Sequence, residues 1–393
     1  MTTLQTSVLG IDFENPFILA SAPPTARIDS IDKAFTLGWG GAVLKTITPD
    51  NLEMIEASQR YAAWRAGNKV YGFENIELLS HLTLQQWLDG IKFLKQKHPT
   101  KIQIASIMAP VIKEEWQNLV KTLNNSEISA YELNFSCPHG MPEKGIGMAI
   151  GTNAEISAQI TKWVKEVAAK PVFVKLSPNV TNIAEIAMAV EKAGADGISA
   201  INTVQSMMGV DLNTFIPMPN VNGKSTFGGY SGSSVKPIGL RCVAQIRQNS
   251  SLPILGIGGI SNWHDAAEYI TVGADAVQVC TEVMINGYAV ISALKSGLLH
   301  YLETKGFNSP SDIKNKAIPN LSSHEKLPKS EQFYPQINDD LCIKCQKCVT
   351  VCDESEHSAL SFDGKKITVN KAACVGCSLC SHACPKQAIS MEK

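Results

Sequence analysis

The chain has no apolar run of about 18 residues, the length a helix needs to cross a bilayer, so no membrane span is expected. It also lacks any block of like charge: 35 Lys and Arg stand against 36 Asp and Glu, for a formal net charge of −1. Without a basic stripe to neutralise phosphates, nucleic acid is not an expected partner. Residues 1–10 carry neither the basic flank nor the apolar stretch of a secretory signal. A dinucleotide fingerprint is missing as well. The stretch Gly145-Ile146-Gly147-Met148-Ala149-Ile150-Gly151 has the wrong spacing for G-x-G-x-x-G and follows a loop, which argues against an NAD(P) or FAD site in this chain. The low charged fraction, 18%, beside 44% apolar residues is a soluble globular composition able to fill a large core.

Cysteine, by contrast, is plentiful. Eight of the eleven cysteines form two runs near the C-terminal end, Cys342-x2-Cys345-x2-Cys348-x3-Cys352 and Cys374-x2-Cys377-x2-Cys380-x3-Cys384-Pro385. This spacing places three thiolates of a run on one cubane cluster and sends the fourth to its neighbour. Cys342, Cys345, Cys348 and Cys384 are therefore expected on one [4Fe–4S] cluster, and Cys374, Cys377, Cys380 and Cys352 on the other. Zinc sites favour paired C-x2-C knuckles, and a disulfide framework calls for secretion, which nothing here supports. The first run ends Cys352-Asp353 where the bacterial pattern has proline, a residue that shapes the turn and binds no metal. Eight thiolates imply a reducing compartment, by default the cytoplasm. Two adjacent clusters form a one-electron wire, and such a wire needs a partner for its electrons.

Upstream, short apolar runs alternate with stretches of helical period. Strands are expected at 17–20, 42–45, 102–106, 131–134, 172–175, 197–201, 254–257 and 276–279, with the clearest helices at 83–97, 113–123, 154–168 and 183–192. Parallel crossovers must pass over a sheet face, and eight such units point to a closed (β/α)8 TIM barrel, with an open doubly wound sheet as the alternative. The expected organisation is a barrel over 1–307, a proline-rich linker over 308–336 and a small bacterial-ferredoxin-like 2[4Fe–4S] domain over 337–393. Within the barrel, 205–234 shows little period and no helix signal. A connection of that length is read as a lid over the barrel mouth.

The strands end in polar or glycine residues, which in a barrel converge on the mouth where active sites sit. Lys45-Thr46 and Lys175 finish apolar strands, and a buried lysine needs an anionic partner. Gly256, Gly258 and Gly259 after the seventh strand and Thr281 after the eighth fall where barrels bind phosphate. An organic substrate feeding one-electron clusters needs a flavin as converter, and a phosphate site in this register suits FMN. After the fourth strand, Asn134-Phe135-Ser136-Cys137-Pro138-His139 puts a thiol on a mouth loop, where Cys137 can act as a general acid. His139 either tunes that thiol or only begins the loop. Cys242 and Cys280 read as small core thiols.

The string Asn134-Phe135-Ser136-Cys137-Pro138, with Lys45-Thr46, Lys175-Leu176-Ser177, Asn202-Thr203 and the glycine turn at 256–259, resembles the dihydroorotate dehydrogenase superfamily of FMN barrels. The longer string 134–151 and Gly72-Phe73-Glu74-Asn75-Ile76-Glu77 are similar to dihydropyrimidine dehydrogenases, and within them to the large, pyrimidine-reducing subunit of the bacterial two-subunit form. Ile150 departs from that pattern, where a smaller residue is expected. The resemblance implies reduction of the 5,6 double bond of uracil and thymine to their dihydro forms, with electrons from NADH through a partner subunit carrying FAD and an NAD site, hence a hetero-oligomer. It assigns proton donation to Cys137. It assigns pyrimidine binding to Asn75, Glu77, Asn134, Ser136, Asn202 and Thr203, and FMN binding to Ala20, Ser21, Lys45, Lys175, Gly232, Gly258, Gly259, Cys280 and Thr281. The rivals are a dihydroorotate dehydrogenase with a fused ferredoxin, which would need cations for the orotate carboxylate, and an electron-carrier subunit without catalysis.

Overall fold

The computed structural model describes residues 2–52, 56–77, 79–135, 148–329 and 331–393, with only the backbone of Met148. The chain divides into two compact units, Met1–Asn320 and Leu321–Lys393.

The first unit is a closed barrel of eight parallel strands: β1 (Phe17–Leu19), β2 (Gly41–Val43), β3 (Ile102–Ile107), β4 (Ala130–Asn134), β5 (Val172–Leu176), β6 (Gly197–Ala200), β7 (Ile254–Ile257) and β8 (Ala276–Val279). They are the eight expected strands, within two residues at each boundary. Each is buried on both faces, so it reads as a continuous apolar run. Four of the described helices between them start on side-chain caps. Thr83 forms a capping box with Gln86, and Asn153, Asn182 and Asn262 accept from the first-turn N–H groups.

Alternation along the strands sorts the barrel interior into two storeys. The lower one is apolar: Ile18, Val43, Ile104, Ala130, Phe173, Leu255 and Ala276 pack together, closed from below by Val8 and Phe13 of an N-terminal hairpin. Two residues further along most of these strands stand Ala20, Lys45, Ser106, Glu132, Lys175 and Gln278, all buried. The polar storey is therefore the floor of the mouth.

Above the barrel lies a four-stranded antiparallel sheet, so parts of 205–234, expected as a loop, are strands. The hairpin Tyr61–Ala66 and Lys69–Asn75 pairs with Gly228–Gly232, which pairs in turn with Val204–Ser206. The buried Glu74 stitches it: its carboxylate accepts from Gly228 N–H at 2.9 Å, and a Cβ at Gly228 would collide with the Glu74 side chain. The residues between, 207–227, add the short pair Val210–Asp211 and Ile216–Pro217.

The linker expectation is also corrected. Residues 308–320 pack on the barrel: Ile313 is buried, Asn315 and Ala317 N–H donate to the carbonyls of Ile270 and Thr271, and Lys314 pairs with Asp275. Proline, serine and lysine gave this stretch its linker-like composition, yet one isoleucine and a few backbone bonds seat it.

In the second unit, Tyr334–Ile337 pairs with Ile389–Glu392, and Leu360–Phe362 with Ile367–Val369. Two short helices, Lys347–Asp353 and Leu379–Ala383, carry cysteines. Among the described residues no helix is long and apolar enough to cross a membrane.

Candidate active site and cluster cavities

The barrel mouth and the antiparallel sheet enclose a cavity of about 640 Å³. Its wall contains Ala20, Ser21, Lys45, Thr46, Asn75, Glu77, Asn134, Lys175, Asn202, Thr203, Gly232, Gly258, Gly259, Cys280 and Thr281. Of the site residues named from sequence, Ser136 and Cys137 lie outside the described residues. Gly256 does not reach the cavity. It sits within β7 against Tyr269, where a Cβ would come within 2.7 Å of the ring, so its smallness serves strand–helix packing.

The polar storey is internally bonded. Glu132, fully buried, accepts from Gln278 Nε2 at 2.7 Å and pairs with Lys175 at 3.4 Å. Lys45 donates to Glu77 Oε2 at 2.8 Å, and the pair is nearly buried. Thr46 Oγ1 links Ser21, Ser106 and Asn134, whose Nδ2 donates to it at 3.0 Å. Asn202 Nδ2 reaches Asn134 Oδ1 at 3.4 Å, and Asn202 Oδ1 accepts from Thr203 N–H. Asn75 spends its Nδ2 on the Gly229 carbonyl at 3.1 Å, joining the hairpin to the facing strand. Burial pushes the Cys280 thiol up to about 11 against the pull of Lys175 and Lys45, so Cys280 stands protonated and neutral in the wall.

On the side of β7 and β8, glycine is required. Gly258 and Gly259 have φ of 128° and 71°. A Cβ on Gly259 would lie 2.6 Å from Lys236 N and 2.8 Å from the Gly232 carbonyl. Tyr269 hydroxyl donates to the Gly258 carbonyl at 2.7 Å, and Thr281 Oγ1 meets Ser231 Oγ at 2.8 Å. Asp265 gathers Lys236 at 2.7 Å with Ser261 and Asn262, fixing the loop that follows the glycines.

Sequence reasoning missed Tyr61, Tyr71, Phe73, Tyr230, Ser231 and Gln278, all of which line the cavity. Burial first, then the charge of Glu77 and a hydrogen bond to it, pushes the Tyr61 phenol above its ordinary value. The Gly67-Asn68 turn pair, followed by the alternation of Tyr71 and Phe73 with Gly72 and Glu74, was the available signal for this hairpin.

The second unit holds two small cavities. One is walled by Cys342, Cys345, Cys348 and Cys384, the other by Cys352, Cys374, Cys377 and Cys380. All eight thiols are free of disulfides. Ala359 N–H points at Cys352 Sγ and Ala388 N–H at Cys384 Sγ, each at 3.3 Å.

A parallel barrel with cations and amides at its mouth, joined in one chain to two tetrads of free thiols, defines an oxidoreductase that works with iron–sulfur clusters. Comparison narrows the class: residues 3–302 match the family model for dihydroorotate dehydrogenase, and 335–391 match that for a 4Fe-4S dicluster domain. The chain is 38% identical, over 99% of its length and 95% of the relative's, to the NAD-dependent dihydropyrimidine dehydrogenase subunit PreA of Escherichia coli K12. It is 36% identical to the chloroplastic NADP(+) dihydropyrimidine dehydrogenase of Arabidopsis thaliana, over 84% of this chain and 80% of that one. It is 37% identical to the catalytic subunit of dihydroorotate dehydrogenase B (NAD(+)) of Pyrococcus abyssi, over 80% of this chain and 99% of that one. The chain belongs to the dihydroorotate dehydrogenase family and carries a C-terminal 4Fe-4S dicluster domain.

Proposed function

We propose that this chain reduces the 5,6 double bond of uracil and thymine, as the pyrimidine-reducing subunit of a cytoplasmic enzyme whose partner subunit carries FAD and binds NAD(H). The observation that carries the reading is the polarity of the cavity wall. Asn75, Asn134, Asn202 and Thr203 offer amides and hydroxyls, donors and acceptors alike, to a flat neutral imide. Dihydroorotate, the alternative that the 37% relative raises, brings a carboxylate. Lys45 is already held by Glu77 at 2.8 Å, and the Glu77 carboxylate would repel a second one.

The cavity also suits FMN. Its volume of about 640 Å³ is that of a cofactor site, Lys45 and Lys175 are cations for an electron-rich ring edge, and the Gly232–Gly259 approach leaves no room for a Cβ where a phosphate would be cradled. Bound there, the flavin supplies hydride chemistry and exchanges two-electron for one-electron transfer. The protein's share is to orient the pyrimidine through the asparagines and Thr203, to hold Lys175 against Glu132, and to deliver a proton from the Cys137 thiol to pyrimidine C5. The thiol tetrads suit two [4Fe–4S] clusters, Cys342, Cys345, Cys348 and Cys384 for one and Cys352, Cys374, Cys377 and Cys380 for the other.

The test is anaerobic mixing of the purified chain with dihydrouracil or dihydroorotate, watching the flavin band near ~450 nm. Bleaching by dihydrouracil alone is expected. Bleaching by dihydroorotate alone would transfer the chain to the other activity, and absence of any flavin band would leave an electron carrier.

A further inference from the structure

The two halves of the cluster-bearing unit are built alike. Asn338 and Asn370 precede the runs, and their carbonyls accept from Cys342 and Cys374 N–H. Gln346 and Ser378 start the two helices with φ of 59° and 63°, and each puts one polar residue on its cavity wall. Ala359 and Ala388 aim matching N–H groups at the fourth cysteines.

The likeness fails at one place. Ala388 follows Cys384 by four positions, whereas Ala359 follows Cys352 by seven. The longer loop folds back, with Glu356 and Ser358 at positive φ and the N–H groups of His357 and Ser358 donating to the Cys352 carbonyl. This turn places His357 on the wall of the Cys352, Cys374, Cys377 and Cys380 cavity. The other cavity has no counterpart; besides its cysteines and Gln346 it is walled by Ile337, Ile343, Ile367, Ala388 and Ile389.

An imidazole carries an N–H donor in either neutral tautomer. Hydrogen bonds to cluster sulfurs raise the reduction potential. We propose that His357 sets the potential of the second run's cluster above that of the first, so that an electron entering the pair comes to rest on the cluster held by Cys374, Cys377, Cys380 and Cys352. The inference rests on the ligand assignment made above. The same loop carries exposed Asp353, Glu354 and Glu356, whose charges act the other way. Exposed charges are screened by solvent and salt, whereas a donor on the cavity wall acts at contact.

The experiment is a redox titration of the reconstituted full chain followed by electron paramagnetic resonance. Two one-electron steps are expected, at least tenfold apart in reduction equilibrium, which is about 59 mV. His357→Leu should lower the upper step and leave the lower one in place. His357→Gln, which keeps an N–H donor, should recover most of the separation, and Glu354→Gln with Glu356→Gln should move it less than His357→Leu does. Should the leucine variant lose its cluster, pulsed measurements on the unsubstituted chain labelled with ¹⁵N-histidine decide instead: nitrogen coupling must appear on the cluster reduced first. Coupling confined to the cluster reduced second, or an equal shift of both steps in His357→Leu, or no shift, overturns the proposal. Iron content reads the ligand assignment by itself, at about eight irons per chain.

Discussion

The barrel and the cluster-bearing unit assemble their sites by opposite means. The barrel draws cavity residues from Ala20 to Asn286 and fixes them on strands and the loops that follow them, backed by a core of large buried side chains such as Trp39, Trp87, Trp116 and Tyr131. In the small unit the buried residues packed together are Cys348, Leu360, Ile367, Cys380 and Ile389, two of them thiols of the tetrads. A unit this small buries little apolar surface, and metal centres commonly supplement the core of such a unit. The barrel cavity is framed by that packing, whereas the small unit is expected to depend on bound metal for its fold.

The largest effect should follow from breaking that contrast directly. Chelating iron from the reduced chain should melt 321–393 and leave 1–320 folded, read by limited proteolysis with mass spectrometry of the resistant fragment. A small unit that stays resistant without iron would mean its polypeptide packing suffices. Next in size is Cys137→Ala, expected to keep FMN and iron while losing about 10²–10⁴-fold in pyrimidine turnover. Steady-state rates with flavin and iron content measured alongside decide it, and unchanged turnover would remove the thiol from the chemistry.

Lys175→Met tests whether the mouth depends on its buried ion pair. It strands the Glu132 carboxylate, which has no exposure to water, and should cost the barrel about 3–5 kcal/mol in denaturant unfolding. The double variant Lys175→Met with Glu132→Gln should regain much of that loss. The smallest expected effect concerns acid. Burial raises the Asp265 carboxyl, but Lys236 and Ser261 outweigh it and leave the group below its ordinary value. Its contribution is then fully present above the ordinary carboxylate pKa of about 4 and is lost as pH falls through the lower folded value. Asp265→Asn should remove about 1.5–3 kcal/mol at neutral pH and flatten the acid limb of barrel unfolding, while the small unit's acid response stays as it was.

Sequence showed most where chemistry is local. The eight barrel strands were legible because strands buried on both faces are written as unbroken apolar runs, and the tetrads because metal ligands repeat at short intervals. What escaped was held by distant pairing. Gly228–Gly232 became a strand by pairing with the hairpin that ends at Asn75, and only the fold shows that register. Gly256 resembled its neighbours Gly258 and Gly259 on the page, but the ring of Tyr269, thirteen positions later, separates its purpose from theirs. Ile313 was likewise hidden among polar neighbours that speak for a linker.

Each thiol tetrad borrows its fourth member from the opposite run, Cys384 for the first and Cys352 for the second. The exchange sets a schedule as well as a geometry. The first tetrad lacks Cys384, and the second lacks Cys374, Cys377 and Cys380, until the second run has left the ribosome, so neither set of thiols is complete before then. A cluster bound in either tetrad would clasp both halves of the unit, and its loss would reach both at once.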